Sequence, residues 1–154
     1  MLEKCLDAHE RWGGVSELID RWLHERQDLL SRFIALPRLK LDGEVGHSLQ
    51  AFCEVLVDYV SSWHFGVYEH LLAEADSFND GGIELARELD PKMQATTDSV
   101  LSFNDQFSDL EQLTLQDAAH LAERLSSLGE ILAERFELED DLIERLHNTH
   151  KDRL

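Results

Sequence analysis

Two prolines and eight glycines in 154 residues leave the chain few places to turn. A sheet protein needs a turn signal roughly every 8–12 residues, so an all-β fold is excluded. Only two cysteines occur, Cys5 and Cys53, and neither sits in a CxxC, which excludes a disulfide scaffold. No apolar run approaches the length of a membrane span. Met1 to Trp12 carries charges throughout and lacks the apolar stretch of a signal peptide, so the expected compartment is the reducing cytoplasm. Basic residues are scarce, with 14 Lys+Arg against 32 Asp+Glu and a net charge of −18 at pH 7 with histidine neutral. Phosphates would be repelled and no basic patch exists to release counterions, so neither nucleic acid nor an anionic membrane is an expected partner. The chain has no GxGxxG, GxxxxGK, GxSxG or HExxH motif.

What is present is helical periodicity. Hydrophobic residues make up 43% of the chain, enough for a packed core in a single domain spanning 1–154. The spacing predicts long helices over 15–36, 44–75, 91–109 and 114–148, with short extra helices near 3–11 and 82–89. Gly13-Gly14, Pro37 to Gly43 and Gly81-Gly82 are the expected breaks. Asp90-Pro91 should open the third long helix as N-cap and first position, and Thr114 with Asp117 should open the fourth. The apolar stripes run through Val15, Leu18, Ile19, Trp22, Leu29, Leu30 and Phe33, then Val45, Leu49, Phe52, Leu56, Tyr59, Val60, Trp63 and Val67. They continue through Met93, Val100, Phe103 and Phe107, and finally Ala118, Ala122, Leu125, Leu132, Phe136, Ile143 and Leu146. The prediction is an all-α fold, an antiparallel bundle of four long helices with one or two short extra ones.

Two charged residues interrupt these stripes. Arg26 projects within about 20° of the centre of the Trp22, Leu29 and Phe33 stripe, and Glu139 lies between Phe136 and Ile143. A lone buried charge is costly, so the two are expected to share an interior polar network or to snorkel to solvent separately. On the second long helix, Glu54, Asp58, Ser61, Ser62, Phe65 and Glu69 project within an arc of about 100°, opposite the core stripe. An aromatic rimmed by acid is either a binding face for a basic partner helix or a solvated face with one stray aromatic.

A metal site is the main alternative, because helical bundles build such sites from Glu-x-x-His pairs. Glu44 with His47 and Glu144 with His147 have that spacing, but they fall at opposite ends of helices that would run parallel. His147 and His150 should form a solvated C-terminal tail. His64 and Glu69 are about 140° apart on a straight helix and could not chelate one ion. No metal or cofactor is therefore expected, and the high charge favours a monomer.

Arg11 to Gly14 and the run Leu18-Ile19-Asp20-Arg21-Trp22-Leu23-His24-Glu25-Arg26 resemble the N-terminal signature of the Rsd/AlgQ family of bacterial anti-sigma regulators. Phe52-Cys53, Leu56-Val57-Asp58-Tyr59, Ser61, His64-Phe65 and Tyr68-Glu69 match a second signature of that family. Arg135-Phe136, Leu138-Glu139-Asp140 and Leu142-Ile143 match a third. From Ala75 to Leu113 little aligns beyond Pro91. The resemblance implies a non-enzymatic helical bundle that binds the C-terminal, −35-reading region of the primary sigma factor. That binding would limit the factor's use by RNA polymerase and favour alternative sigma factors. The family's sigma-binding surface carries over to Asp58, Ser61 and Phe65, the middle of the acidic face. A helical metalloprotein, or an acidic adaptor for another regulatory protein, remains the alternative.

Overall fold

In the computed structural model the backbone is described for residues 2–36, 43–108 and 115–149, and side chains for 14–36, 47–108 and 119–149. The described residues form four long helices and no strand. Helix α1 is Leu2–Ala35. Helix α2 comprises Gly43–Ser62, a π-helical stretch Trp63–Tyr68, and a last α-helical segment Glu69–Phe78. Helix α3 is Gly82–Phe107, and α4 is Leu115–Ile143 continued by a π-helical stretch Glu144–Asn148.

Cross-links between helices fix the topology. Tyr59, Arg26 and Glu139 meet at one level, and Ser16, Glu74 and His147 at another. Sequence numbers therefore rise along α1 as they fall along α2 and α4 in space. Tyr68 reaches Asp90, and Arg135 reaches Thr96, so α3 runs with α1 and against the other two. This is the expected antiparallel bundle.

Two expected breaks are absent. Gly13-Gly14 lies inside α1 rather than separating it from a lead-in helix. Gly costs a helix interior about 1 kcal/mol relative to Ala, and the buried anchors Val15, Ile19 and Trp22 outweigh it. Pro91 lies inside α3 rather than opening it, so the segment near 82–89 is the first part of one helix. Pro91 cannot donate to the Arg87 carbonyl, but Ala86, Met93, Thr96 and Val100 are buried on both sides of it and hold the helix together. The turn between α2 and α3 is where glycine predicted it. Asn79 takes a left-handed φ of 47° and its N–H bonds the Ala75 carbonyl at 2.9 Å, and Gly81 follows at φ 98°. Positive φ at both positions ends the helix in the manner of an αL cap. The expected connector at Pro37, the cap at Thr114, and the stripe residues Val45 and Ala118 lie outside the described residues or side chains.

The core follows the stripes closely. Val15, Ile19, Trp22 and Leu29 of α1 pack with Phe52, Leu56, Tyr59, Trp63 and Val67 of α2 in a single apolar cluster. Met93, Val100, Phe103 and Phe107 of α3 join it, as do Leu125, Leu132, Ile143 and Leu146 of α4. Ala122 is an exception: it is exposed, and Leu121 takes the buried position one residue earlier. Leu128 and Leu142 also join the core, so the α4 stripe is wider than projected. Cys53 is fully buried, and burial pushes its thiol up to about 12, with Glu54 adding to the rise, so it is inert as a nucleophile.

Candidate partner-binding face and the polar interior behind it

The π-helical stretch of α2 has a cause in the sequence. Tyr59, Trp63, Val67, Leu71 and Ala75 are all fully or almost fully buried, at successive steps of four. Each step of four on a straight α-helix overshoots a full turn by about 40°, so the row would rotate off the core by roughly 160° over four steps. The wider i→i+5 turn absorbs part of that overshoot and keeps the row facing inward. Phe65 sits midway between Trp63 and Val67 and consequently points outward, 69% exposed. Its ring lies edge-on to His64, with centroids 4.8 Å apart, and His64 stacks in turn on Tyr68.

Glu54, Asp58 and Glu69 are exposed on the same helix as Phe65. Ser61 and Ser62 are half-buried rather than solvent-facing, so they form the floor of the face and not its rim. The six residues projected from the sequence thus lie along one helix, but across an α-to-π transition that the uniform 100° projection did not contain. The same transition removes the basis for the angle assigned to His64 and Glu69, which lie in and just after the wider turn.

Behind this face Trp22 stacks on Tyr59 at 5.2 Å and packs on Trp63 at 5.0 Å. Arg26 lies with its guanidinium carbon 4.6 Å from the ring centroids of both Trp22 and Phe136. It donates to Tyr59 Oη at 3.0 Å, to Asp140 Oδ1 at 2.8 Å and to Glu139 Oε1 at 3.2 Å. Tyr59 donates to the same Glu139 oxygen at 2.6 Å. Arg135, 1% exposed, donates through Nε to Glu139 Oε2 at 3.1 Å and through Nη1 to Thr96 and Thr97. Arg26 and Glu139 are therefore brought into direct contact, in a network that draws side chains from all four helices. Tyr59 was expected as a stripe residue and Arg135 appeared only within the family resemblance, neither as a member of this network, and Thr96 was not singled out. Arg135 falls four residues before Glu139, so the rule that a buried charge needs a partner points to it.

Burial pushes the Glu139 carboxyl up to about 7, against the opposing pull of Arg135, Tyr59 and Arg26. Tyr59 is held well above the usual phenol range, first by burial and then by the Glu139 charge, so it stays a donor. Burial alone would lower Arg26, but Tyr59, Asp140 and Glu139 together raise it and keep it cationic.

His147 corrects the expectation of a solvated tail. It is 2% exposed, with Nδ1 2.8 Å from Glu74 Oε2 and Nε2 2.8 Å from Ser16 Oγ. The order Ser–His–Glu is that of a hydrolase triad. Ser16, however, lies mid-helix, where neighbouring N–H groups are taken by the helix and none is free to stabilise an oxyanion. The cluster acts as a polar clip joining α1, α2 and α4. The sequence signal was Glu74, which sits within the stripe between Leu71 and Ala75. His47 is exposed near the start of α2, far from His147; the side chain of Glu44 and all of His150 lie outside the description. Among the described residues no three His, Cys, Asp or Glu side chains are grouped to hold a metal ion, and no helix is long and apolar enough to cross a membrane.

Comparison with known proteins places this chain in a family. A family model described as "Regulator of RNA polymerase sigma(70) subunit, Rsd/AlgQ" matches residues 1–147. The chain belongs to the Rsd/AlgQ family. The Regulator of sigma D of Enterobacter sp. (strain 638) is 38% identical over 149 residues, covering 93% of this chain and 88% of that protein. The Regulator of sigma D of Yersinia pseudotuberculosis serotype O:1b (strain IP 31758) is 32% identical over 149 residues, covering 94% and 88%. That of Yersinia enterocolitica serotype O:8 / biotype 1B is 31% identical over 150 residues. No solved structure matches the chain. The matched span includes Ala75 to Leu113, where residue-by-residue resemblance is thin.

Proposed function

We propose that this protein regulates transcription by binding the C-terminal region of the primary sigma factor through the Phe65 face of α2. Bound there, it withholds sigma from productive assembly with core RNA polymerase and favours alternative sigma factors. The observation that carries this reading is Phe65 itself. A phenylalanine 69% exposed costs solubility without contributing to the core, yet it stands in the middle of an acidic face on a well-anchored helix. A −35-reading domain is a basic helix-turn-helix surface built to meet phosphates. Glu54, Asp58 and Glu69 offer the same sign of charge as the DNA backbone, and Phe65 supplies the apolar anchor that DNA lacks. The half-buried serines Ser61 and Ser62 are small enough to let a partner helix come close. The role assigned to the protein is non-catalytic.

Replacing Phe65 by Ala should weaken binding of the isolated sigma C-terminal region by about 2 kcal/mol or more, which is over tenfold. Isothermal titration with the purified region measures this directly. Release of sigma from core polymerase in a competition assay should weaken in parallel. Unchanged affinity in the Phe65→Ala protein would remove the anchor role and with it the proposed face.

A further inference from the structure

One flank of α1 is apolar and uncovered. Ser16, Leu23 and Leu30 follow one another at steps of seven, and Ile34 comes four residues later, so the four share one face of the helix. Ser16 shows where that face points, because its hydroxyl meets His147 of α4 at 2.8 Å. On α4, Ala133 and Asp140 precede His147 at the same steps of seven. Arg26 crosses to Asp140, and the Phe33 ring comes within 3.1 Å of where a Cβ of Gly129 would stand. The two helices therefore border one seam, closed at one end by Ser16 and His147. Along it Leu23 is 38% and Ile34 56% exposed, Leu30 is half-buried and Ala133 is exposed. A single exposed apolar residue needs no explanation, but an aligned row does. Beside the row Glu130, Glu137 and Glu144 are exposed at steps of seven on α4, about 60° further from the core than Ala133, Asp140 and His147. The cations of the two helices are turned elsewhere. Arg32 pairs with Asp28, Arg145 with Asp141 and Arg135 with Glu139, Arg124 bonds Gln106 of α3, and Arg21 lies about 160° round α1 from Leu23.

An apolar row with acids one heptad apart beside it is half of a helix–helix seam, in which the apolar positions pack and the flanking charges choose the partner. The complementary half is a helix with an apolar stripe and Lys or Arg at steps of seven. From Leu23 to Ile34 the face runs about 16 Å, or three turns. Buried Trp22 and Leu29 hold α1 from beneath, so the face is formed before any partner arrives. We propose that the α1–α4 seam docks a basic amphipathic helix of a partner protein. Its apolar stripe would lie on Leu23, Leu30, Ile34 and Ala133, and its cations on Glu130, Glu137 and Glu144. A second copy of this chain fits poorly, because it would bring another charge of −18 against these acids. The seam is separate from the Phe65 face. On its other flank α1 meets α2, where Leu18 packs by Gly66, so the two surfaces lie on different sides of the bundle and can be filled independently.

The probe is a synthetic peptide of about three heptads with Leu at a and d and Lys at e and g. Titrated into the full chain and followed by nitrogen–proton NMR, it should saturably shift the backbone amides of Leu23, Leu30, Ile34 and Ala133. The same peptide with Glu in place of Lys should bind at least about tenfold more weakly. Ile34→Asp, at an exposed position, should keep the helical circular dichroism and weaken binding of the basic peptide by about tenfold or more. Glu137→Lys should weaken it as well. Ile34→Asp should bind the sigma C-terminal region as tightly as the unsubstituted chain. Shifts centred on Phe65, or equal binding of the acidic peptide, would overturn the proposal on the unsubstituted protein alone. Undiminished peptide binding in a folded Ile34→Asp protein would overturn it too, and loss of sigma binding in that protein would make the two surfaces one. Self-association of the unliganded chain that Ile34→Asp abolishes, read by sedimentation, would assign the seam to a second copy instead.

Discussion

Arg26 and Glu139 each stood out in the sequence as a charge in an apolar stripe, and each is held by more than the other. Arg26 is gripped by two aromatic rings, a phenol and two carboxylates, while Glu139 is gripped by two guanidiniums and the same phenol. Removing one partner of a buried pair leaves the other uncompensated. Arg26→Met keeps the stacking with Trp22 and Phe136 but loses three hydrogen bonds, so it should cost about 1–3 kcal/mol of stability. Adding Glu139→Gln should cost less than the sum of the two single changes, by roughly 0.5 kcal/mol or more, measured by urea unfolding in a double-mutant cycle. Additive losses would mean the two charges are energetically independent. The same network gives a pH dependence. The folded Glu139 carboxyl is raised to about 7 from an ordinary 4.5. Between those values the folded state holds the proton more firmly than the unfolded chain, so stability falls as pH rises through that window. The loss should be on the order of 2–3 kcal/mol between pH 5 and pH 8. The Glu139→Gln protein should show a clearly flatter profile, and an identical slope would place the dependence elsewhere. Sequence pointed to this site because a charge at a core position is visible in the projection. His147 and Glu74 were less visible because they lie near the ends of their helices, where exposure was the simpler expectation.

Elements tell a different story about legibility. Four helices and their inward stripes were readable, because apolar spacing of three and four over many turns leaves little choice of face. What misled was local chemistry. Gly13-Gly14 and Pro91 were expected as boundaries, and in both places buried residues on either side carry the helix through. The π-helical stretch was missed because a uniform angle per residue was assumed, although the run of four-residue steps from Tyr59 to Ala75 signalled it. The glycines sort by surroundings in a way that can be measured. A Cβ at Gly14 would meet nothing within 4 Å, and the residue is exposed in mid-helix. Gly14→Ala should therefore stabilise the protein by about 0.5–1 kcal/mol. A Cβ at Gly82 would come within 2.8 Å of Leu146 and 2.9 Å of Ala75. There overpacking, typically about 1–3 kcal/mol, exceeds the gain in helix propensity. Gly82→Ala should lower the thermal midpoint while Gly14→Ala raises it, and shifts of the same sign would contradict the packing described at the α2–α3 turn.

At the scale of the whole molecule, the charge of −18 excludes partners before it selects one. On the proposed reading its selective part is the set of exposed Glu54, Asp58 and Glu69 on the helix that carries Phe65, while the interior cations Arg26 and Arg135 are spent on Glu139 and Asp140. Charge spread over a face acts at long range and mainly sets how often a basic partner arrives in the right orientation. An aromatic buried at the centre acts at contact and mainly sets how long it stays. On the proposed reading the two contributions separate in a kinetic experiment. Raising salt from about 50 mM to about 500 mM shortens the screening length several-fold. Association with the sigma C-terminal region should then slow by about tenfold or more, while dissociation changes little. Phe65→Ala should show the converse pattern, with faster dissociation and nearly unchanged association. Asp58→Asn combined with Glu54→Gln should lower both the association rate and its salt slope. Surface plasmon resonance on the three proteins distinguishes the cases. A salt-independent association rate in the unsubstituted chain would mean that its acidity serves solubility alone.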